Sequence, residues 1–172
     1  MKNLLLTLLC CLPLLAHSQE ASSLQDELTG MLAYNEQAIL SLAGVIPAEK
    51  YDWRPAEGVR SVGDVCLHVA SANYFFMMNL GFALPEGVDL QNMESIAGKE
   101  KIVETVKNSF AFAKEKIKEI KTEDLEAKVK FPFGEFSKRT ALLILLEHSG
   151  EHKGQLIAYS RMNGITPPWS DQ

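Results

Sequence analysis

Hydrophobic residues recur every three or four positions in four long stretches of this sequence, which is the spacing of one face of an α-helix. We predict helices at about residues 22–43, 61–81, 95–121 and 137–162. The clearest stripe belongs to the second helix and comprises Val62, Val65, Val69, Ala72, Phe76 and Leu80. Asn35 interrupts the stripe of the first helix, and we interpret it as a polar residue at the flank of that helix. Four such helices predict an all-α fold, a four-helix bundle.

Two segments between the helical stretches follow other patterns. Residues 82–93 contain Pro85 and Gly87 and are predicted to form a long crossover connection between the second and third helices. Residues 129–136 do not fit a helical stripe, and we predict a short extended segment with a turn at Gly134. The expected architecture is therefore a bundle with one long crossover and a short extended segment before the last helix.

The first 18 residues have the features of a secretory signal peptide. Lys2 precedes an apolar run from Leu4 to Leu15, and residues 16–18 fit a cleavage site with small residues at both ends. The run is short for a membrane span, so we expect no stable membrane anchor. Cleavage near Ser18 predicts an exported protein, periplasmic or secreted, that consists of one domain, residues 19–172.

The charge and the cysteine content narrow the possible partners. The sequence has 17 basic and 22 acidic residues, a net charge of −5, and loss of Lys2 with the signal peptide makes it −6. An acidic protein is a poor match for nucleic acid, so we expect no nucleic-acid partner. Cys66 is the one cysteine after residue 18, which excludes an intramolecular disulfide in the exported domain. We expect its thiol to be buried and unreactive.

Three histidines are the main candidates for chemistry. His148 and His152 are one helical turn apart and project from one face. That face also carries Ala141, Leu145, Gln155, Tyr159 and Met162, so it is predicted to point into the bundle. His68 lies between Val65 and Ala72 on the inward side of the second helix. Buried imidazoles need partners, which are either a metal ion or carboxylates and water. Three imidazoles from two helices can hold a divalent metal ion and leave a position open.

Three polar residues near these histidines are candidates for supporting roles. Asp64, one turn before His68, either orients that ring or caps the second helix. Gln155 either lines the metal pocket or is an amide at the edge of the core. Glu151 completes H-x-x-E-H, the signature of inverted zinc peptidases. That class needs a downstream glutamate ligand, and no glutamate follows His152. We therefore expect Glu151 to face solvent or to support a ligand.

Several segments of the chain resemble the DinB-like (DinB/YfiT) superfamily. They are WRP at 53–55, SVGDVCLH at 61–68, EHSGEHKGQL at 147–156 and RMNGITPP at 161–168. The resemblance covers essentially all of residues 19–172. It implies a four-helix bundle in which His68, His148 and His152 bind zinc, nickel or a similar divalent metal. Some relatives are thiol-dependent transferases or isomerases of the cytoplasm, whereas this chain is predicted to be exported. Many relatives are dimers, which implies a possible homodimer.

Three functions remain open at this point. The first is a metalloenzyme in which the metal activates water for hydrolysis, or a thiol for transfer, on an unknown small-molecule substrate. The second is a non-catalytic bundle that binds a metal or a small ligand, and the third is a helical scaffold without a metal. No fourth strong ligand is evident, which favours an open, catalytic type of site. Trp53, Phe131 and Phe133 are expected to cover the ends of the bundle or to border a substrate mouth.

Overall fold

Four long helices make up most of residues 22–170, the part of the chain that the computed structural model describes. They are α1 (Leu24–Val45), α2 (Val62–Asn79), α3 (Lys99–Glu119) and α4 (Lys138–Met162). The predicted four-helix bundle is confirmed. The predicted signal peptide, residues 1–18, lies outside the described residues. Among the helices that are described, none has the length and apolar character needed to cross a membrane.

Two of the three consecutive helix pairs, α1 with α2 and α3 with α4, do not pack against each other, whereas α2 packs closely on α3. Helix α1 packs mainly against α3 and α4, and α2 packs against the same two helices, so α1 and α2 occupy opposite corners of the bundle. The apolar faces meet in one core, whose fully buried side chains include Leu32, Ile39, Leu42, Met77, Phe110, Ile117 and Leu145. Burial of these faces drives the assembly. The packing of α2 against α4 brings the segments that carry the histidines together.

Serine caps fix where three of the helices begin. The Ser61 hydroxyl accepts a hydrogen bond from the backbone N–H of Asp64, and the Asp64 carboxylate accepts one from the backbone N–H of Ser61. Ser23 and Ser137 cap α1 and α4 in the same way through their hydroxyl groups. Such caps satisfy backbone donors that a helix leaves unpaired at its first turn. The cap of α2 sets the register that places His68 two turns into the helix.

Two helix boundaries differ from the prediction. Helix α3 begins at Lys99 rather than at Ser95, because Met93–Ser95 forms a separate turn of 3₁₀ helix. Gly98 then separates the two elements with a φ of 92°, a conformation that favours glycine. Helix α1 continues through Gly44 to Val45, since a single glycine lowers helix stability by only about 1 kcal/mol.

The interpretation of Asn35 as a flank residue is wrong. Its side chain is buried between α1 and α4, where its amide nitrogen donates to the Ser149 hydroxyl at 2.8 Å. Its amide oxygen accepts a hydrogen bond from the Lys153 ammonium at 2.7 Å. Because α4 supplies partners to both ends of the amide, the group is buried without an unpaired polar atom.

The extended segment before the last helix is a β-hairpin. Strands β1 (Lys128–Phe131) and β2 (Gly134–Ser137) pair antiparallel, with Lys128 opposite Ser137 and Phe131 opposite Gly134. The turn falls on residues 132–133, and Gly134 is the first residue of β2 rather than the turn itself. A Cβ atom at Gly134 would lie 2.8 Å from the Phe136 ring, which explains glycine at this position. Strand β2 continues directly into α4.

Candidate metal centre

The three candidate histidines come together between α2 and α4. One ring nitrogen of each of His68, His148 and His152 lies within 4.8 Å of the others. The ring centroids are 5.0 Å apart for His68 and His148, 4.8 Å for His68 and His152, and 4.4 Å for His148 and His152. In residues 22–170 this is the one cluster of three or more metal-ligating side chains with such spacing. The predicted convergence of the three imidazoles is present.

The surroundings of the cluster favour neutral imidazoles. Burial, together with the positive charge of Arg60 and the other two histidines, lowers the pKa of His68 to about 4. Burial also lowers the pKa of His148, helped by His152, while the negative charge of Glu151 opposes the shift. At neutral pH both rings therefore keep a lone pair that is free to bind a metal ion.

A fully buried ring nitrogen in this cluster makes no hydrogen bond. It is the Nε2 atom of His148. A buried polar atom without a partner is unfavourable, and such cases are rare in folded proteins. A divalent metal ion between the three rings would supply the partner, and imidazole nitrogen is a preferred ligand of zinc and nickel. The three residues therefore fit a metal ion.

A chain of hydrogen bonds fixes the orientation of His152. Its Nδ1 lies 2.8 Å from Oε1 of Gln155, and Nε2 of Gln155 donates to the Tyr159 hydroxyl at 2.8 Å. That hydroxyl donates in turn to the backbone carbonyl of Arg60 at 3.1 Å. Because an amide oxygen only accepts, the proton of His152 is on Nδ1, and Nε2 keeps its lone pair for a metal. Gln155 thus positions a candidate ligand, as partners of metal-binding histidines generally do.

The other two candidates for supporting roles are directed elsewhere. The Asp64 carboxylate completes the cap of α2 and forms an ion pair with Arg54 at 3.3 Å. Its hydrogen bonds are with Ser61 and Arg54 rather than with His68. Glu151 is exposed on α4 and acts on the cluster only through its charge. Asp64 is therefore a helix cap, and Glu151 is a carboxylate that faces solvent.

Glu94 is a neighbour of His68 that the sequence pattern did not reveal. Its Oε1 lies 4.0 Å from Nδ1 of His68 and 3.7 Å from the Arg60 guanidinium. Glu94 is in the Met93–Ser95 turn, within the crossover connection that joins α2 to α3 at residues 80–98, and no periodic spacing relates it to the helices. Its carboxylate is the acidic group near Nδ1 of His68, at a distance too long for a direct hydrogen bond.

A cleft opens from the cluster toward solvent. It has a volume of about 340 Å³, within the range of small-molecule sites. Its lining comprises His68, Ser71, Ala72, Phe75, Phe76, Pro132, Phe133, Ile144, Glu147 and His148. Phe133, at the hairpin turn, therefore borders a cavity beside the metal ligands. Trp53 packs edge to face on Tyr159 at 5.4 Å, at the far end of the hydrogen-bond chain.

Comparison with known proteins agrees with this architecture. The fold is similar to that of a DinB-like protein from Bacillus cereus, with a TM-score of 0.67 at 20% identity over 82% of this chain and 93% of that one. It is also similar to YfiT from Bacillus subtilis, described as a probable metal-dependent hydrolase with an unusual four-helix bundle topology. That match has a TM-score of 0.65 at 16% identity over 86% of this chain and 93% of that one.

The family assignment comes from the sequence. A search of curated proteins finds no match. The model of the DinB family, in contrast, matches residues 19–172, which is most of the chain. The chain therefore belongs to the DinB family.

Proposed function

We propose that this protein is an exported metal-dependent hydrolase in which His68, His148 and His152 bind a divalent metal ion, zinc or nickel. The substrate is a small molecule, and water is the nucleophile. YfiT, which shares the fold, is described as a probable metal-dependent hydrolase. A thiol nucleophile is the second candidate, because thiol-dependent enzymes occur in the superfamily that the sequence resembles. We favour water over a thiol as the nucleophile, because the protein is predicted to be exported and water is available in every compartment.

The protein's own residues have separable roles in this proposal. Gln155 pairs with Nδ1 of His152, which leaves Nε2 of that ring for a metal ion. Burial keeps His68 and His148 neutral, so the ligands add no charge. The three histidines would hold the metal without neutralising its charge, and the bound ion would supply a Lewis acid that lowers the pKa of water or a thiol. The cleft reaches the centre from the side of His68 and His148, which is the side from which a substrate would approach.

One observation carries most weight. The buried Nε2 of His148 has no hydrogen-bond partner, although it lies in a cluster with two other imidazoles. A histidine buried for packing alone would be expected to bond a carboxylate, a backbone group or water. An unpaired nitrogen beside two further ligands is the arrangement that a metal ion completes.

The test measures metal and activity together. Protein purified without added metal is analysed by mass spectrometry for metal content, and we expect about one divalent ion per chain. His148→Ala should lose the metal while its circular dichroism spectrum stays helical. Metal content that is the same in His148→Ala as in the unchanged protein would falsify the proposed site. A panel of ester, amide and phosphoester substrates, with and without added thiol, then separates hydrolysis from transfer. Bound metal without turnover indicates the non-catalytic binding protein.

Export and assembly have their own tests. We propose that residues 1–18 are removed, so mass spectrometry of the protein recovered outside the cytoplasm should find Gln19 as its first residue. Retention of Met1 in that fraction would contradict this. The homodimer implied by the resemblance predicts twice the mass of the chain in static light scattering.

A further inference from the structure

The cleft beside the metal ligands has an aromatic wall. Phe75 and Phe76 contribute rings from α2, and Phe133 contributes one from the hairpin turn. The rings of Phe76 and Phe133 are 6.3 Å apart. Phe133 is nevertheless 56% exposed, so much of its apolar surface faces the cleft and the solvent. Aromatic walls of this kind bind aryl rings and hydrocarbon chains, which remove that surface from water.

Away from the metal ligands, the side chains of the cleft disfavour an anionic group. No lysine or arginine is among the described residues that line it, and Glu147 is the one carboxylate there. A phosphate or carboxylate group on the tail of a ligand, away from the metal ligands, would find no cation to pair with and would be repelled by Glu147. The polar end of the cleft is at His68 and His148, and Ser71 is the remaining hydroxyl. A matching ligand is polar at one end and uncharged and apolar along the rest.

The wall is connected to the candidate metal ligands by ring packing and by the continuity of the chain. The Phe133 ring packs on those of Phe131 at 5.3 Å and Phe136 at 5.6 Å. Strand β2, which contains Phe136, continues without a break into α4, which carries His148. The distance between wall and ligands is therefore set before a ligand arrives, which favours binding because little has to be ordered.

We infer that this cleft binds an aryl ring or a short acyl chain of the substrate, with the reacting group directed to His68 and His148. The inference rests on the proposed function and specifies its substrate class. Phe133 is the specificity-determining residue, because it supplies exposed apolar surface that has no role in the core. Compounds whose tail is anionic are excluded from the cleft.

The test compares benzohydroxamate with acetohydroxamate, which carry the same metal-binding head and differ in whether a ring or a methyl group follows it. Zinc-loaded protein is titrated with each compound by calorimetry. We expect benzohydroxamate to bind about tenfold more tightly. Phe133→Ala should reduce this preference to about twofold or less. Met162→Ala is the matched control, since Met162 is 61% exposed and does not line the cleft, and it should leave the preference unchanged.

Each outcome has a defined meaning. Equal affinities for the two hydroxamates, or a preference that Phe133→Ala leaves intact, overturns the inference. If the protein retains no zinc, the proposed metal site fails, and methyl benzoate then decides the question of the cleft. Saturation-transfer NMR of methyl benzoate in EDTA should detect binding to the unchanged protein and to Met162→Ala, and weaker binding to Phe133→Ala. No transfer in any of the three overturns the inference.

Discussion

Replacing Gln155 with leucine tests how the metal centre is held together. Leucine keeps the approximate volume of the side chain but removes the oxygen that accepts from Nδ1 of His152 at 2.8 Å. It also removes the donor to Tyr159 at 2.8 Å. His152 is 7% exposed, so water has little access to replace the lost acceptor. Without the acceptor, the tautomer that leaves Nε2 free is no longer favoured and the ring is free to turn.

The magnitude follows from these contacts. Loss of a partner that orients a metal-binding histidine lowers metal affinity by about 10- to 100-fold, which corresponds to about 1.4–2.7 kcal/mol. The buried N–H left without an acceptor also lowers the stability of the metal-free protein by about 1–3 kcal/mol. We therefore expect Gln155→Leu to weaken zinc binding by one to two orders of magnitude and to lower the urea midpoint.

Competition with a chelator of known affinity measures zinc binding. Tyr159→Phe is the matched control on the same chain of hydrogen bonds. It removes the outer hydroxyl but keeps the bond between Gln155 and His152, so its loss of affinity should be smaller than that of Gln155→Leu. Gln37→Leu, on the exposed side of α1, should have no effect. Zinc affinity of Gln155→Leu within about twofold of the unchanged protein would refute this account of the site.

Three further predictions concern other parts of the molecule. Burial raises the pKa of Cys66 to about 12. In the protein that begins at residue 19, iodoacetamide at pH 8 should therefore label this thiol only after unfolding in guanidinium, and fast labelling of the folded protein would contradict this. In metal-free protein the melting temperature should rise between about pH 4 and pH 6.5 and then level off. Between these values the unfolded chain binds a proton at His68, whose ordinary pKa is 6.5, whereas the folded protein, with a pKa of about 4, does not, so lowering the pH favours unfolding. Circular dichroism melts should show a smaller rise for His68→Ala. Asn35→Ala removes the amide that donates to the Ser149 hydroxyl and accepts from the Lys153 ammonium, and it should lower the free energy of unfolding in urea by about 1–3 kcal/mol, with an unchanged midpoint as the contrary result.

Periodic spacing was enough to predict the four helices and the inward direction of the three histidines. His148 and His152 stand in a stripe that begins with Ala141 and Leu145, and burial of that stripe directs both rings inward. The stripe does not extend to Met162, which is 61% exposed, because the bundle ends before the last turn of α4. A helical pattern thus predicts which face is buried, but not where the neighbouring helices stop.

The features that were missed depend on contacts between distant segments. Glu94 reaches His68 from the crossover connection, and no local spacing connects the two residues. Asn35 is buried because Ser149 and Lys153 meet it from another helix, and a stripe alone does not distinguish a paired buried amide from an exposed one. The position of Phe133 over the cleft likewise depends on how the hairpin lies against α2.

The placement of α1 and α2 at opposite corners has a consequence for how the chain folds. Each of these helices finds its main partners only in α3 and α4, which come after the crossover connection. Neither half of the chain therefore contains a helical hairpin that can bury its own apolar face. The contacts between helices join segments that are far apart in the chain, so we expect slower folding than for bundles of consecutive hairpins, and a single cooperative transition. If the chain is cut within residues 80–98, the two fragments should be unstructured separately and should regain helix only when mixed.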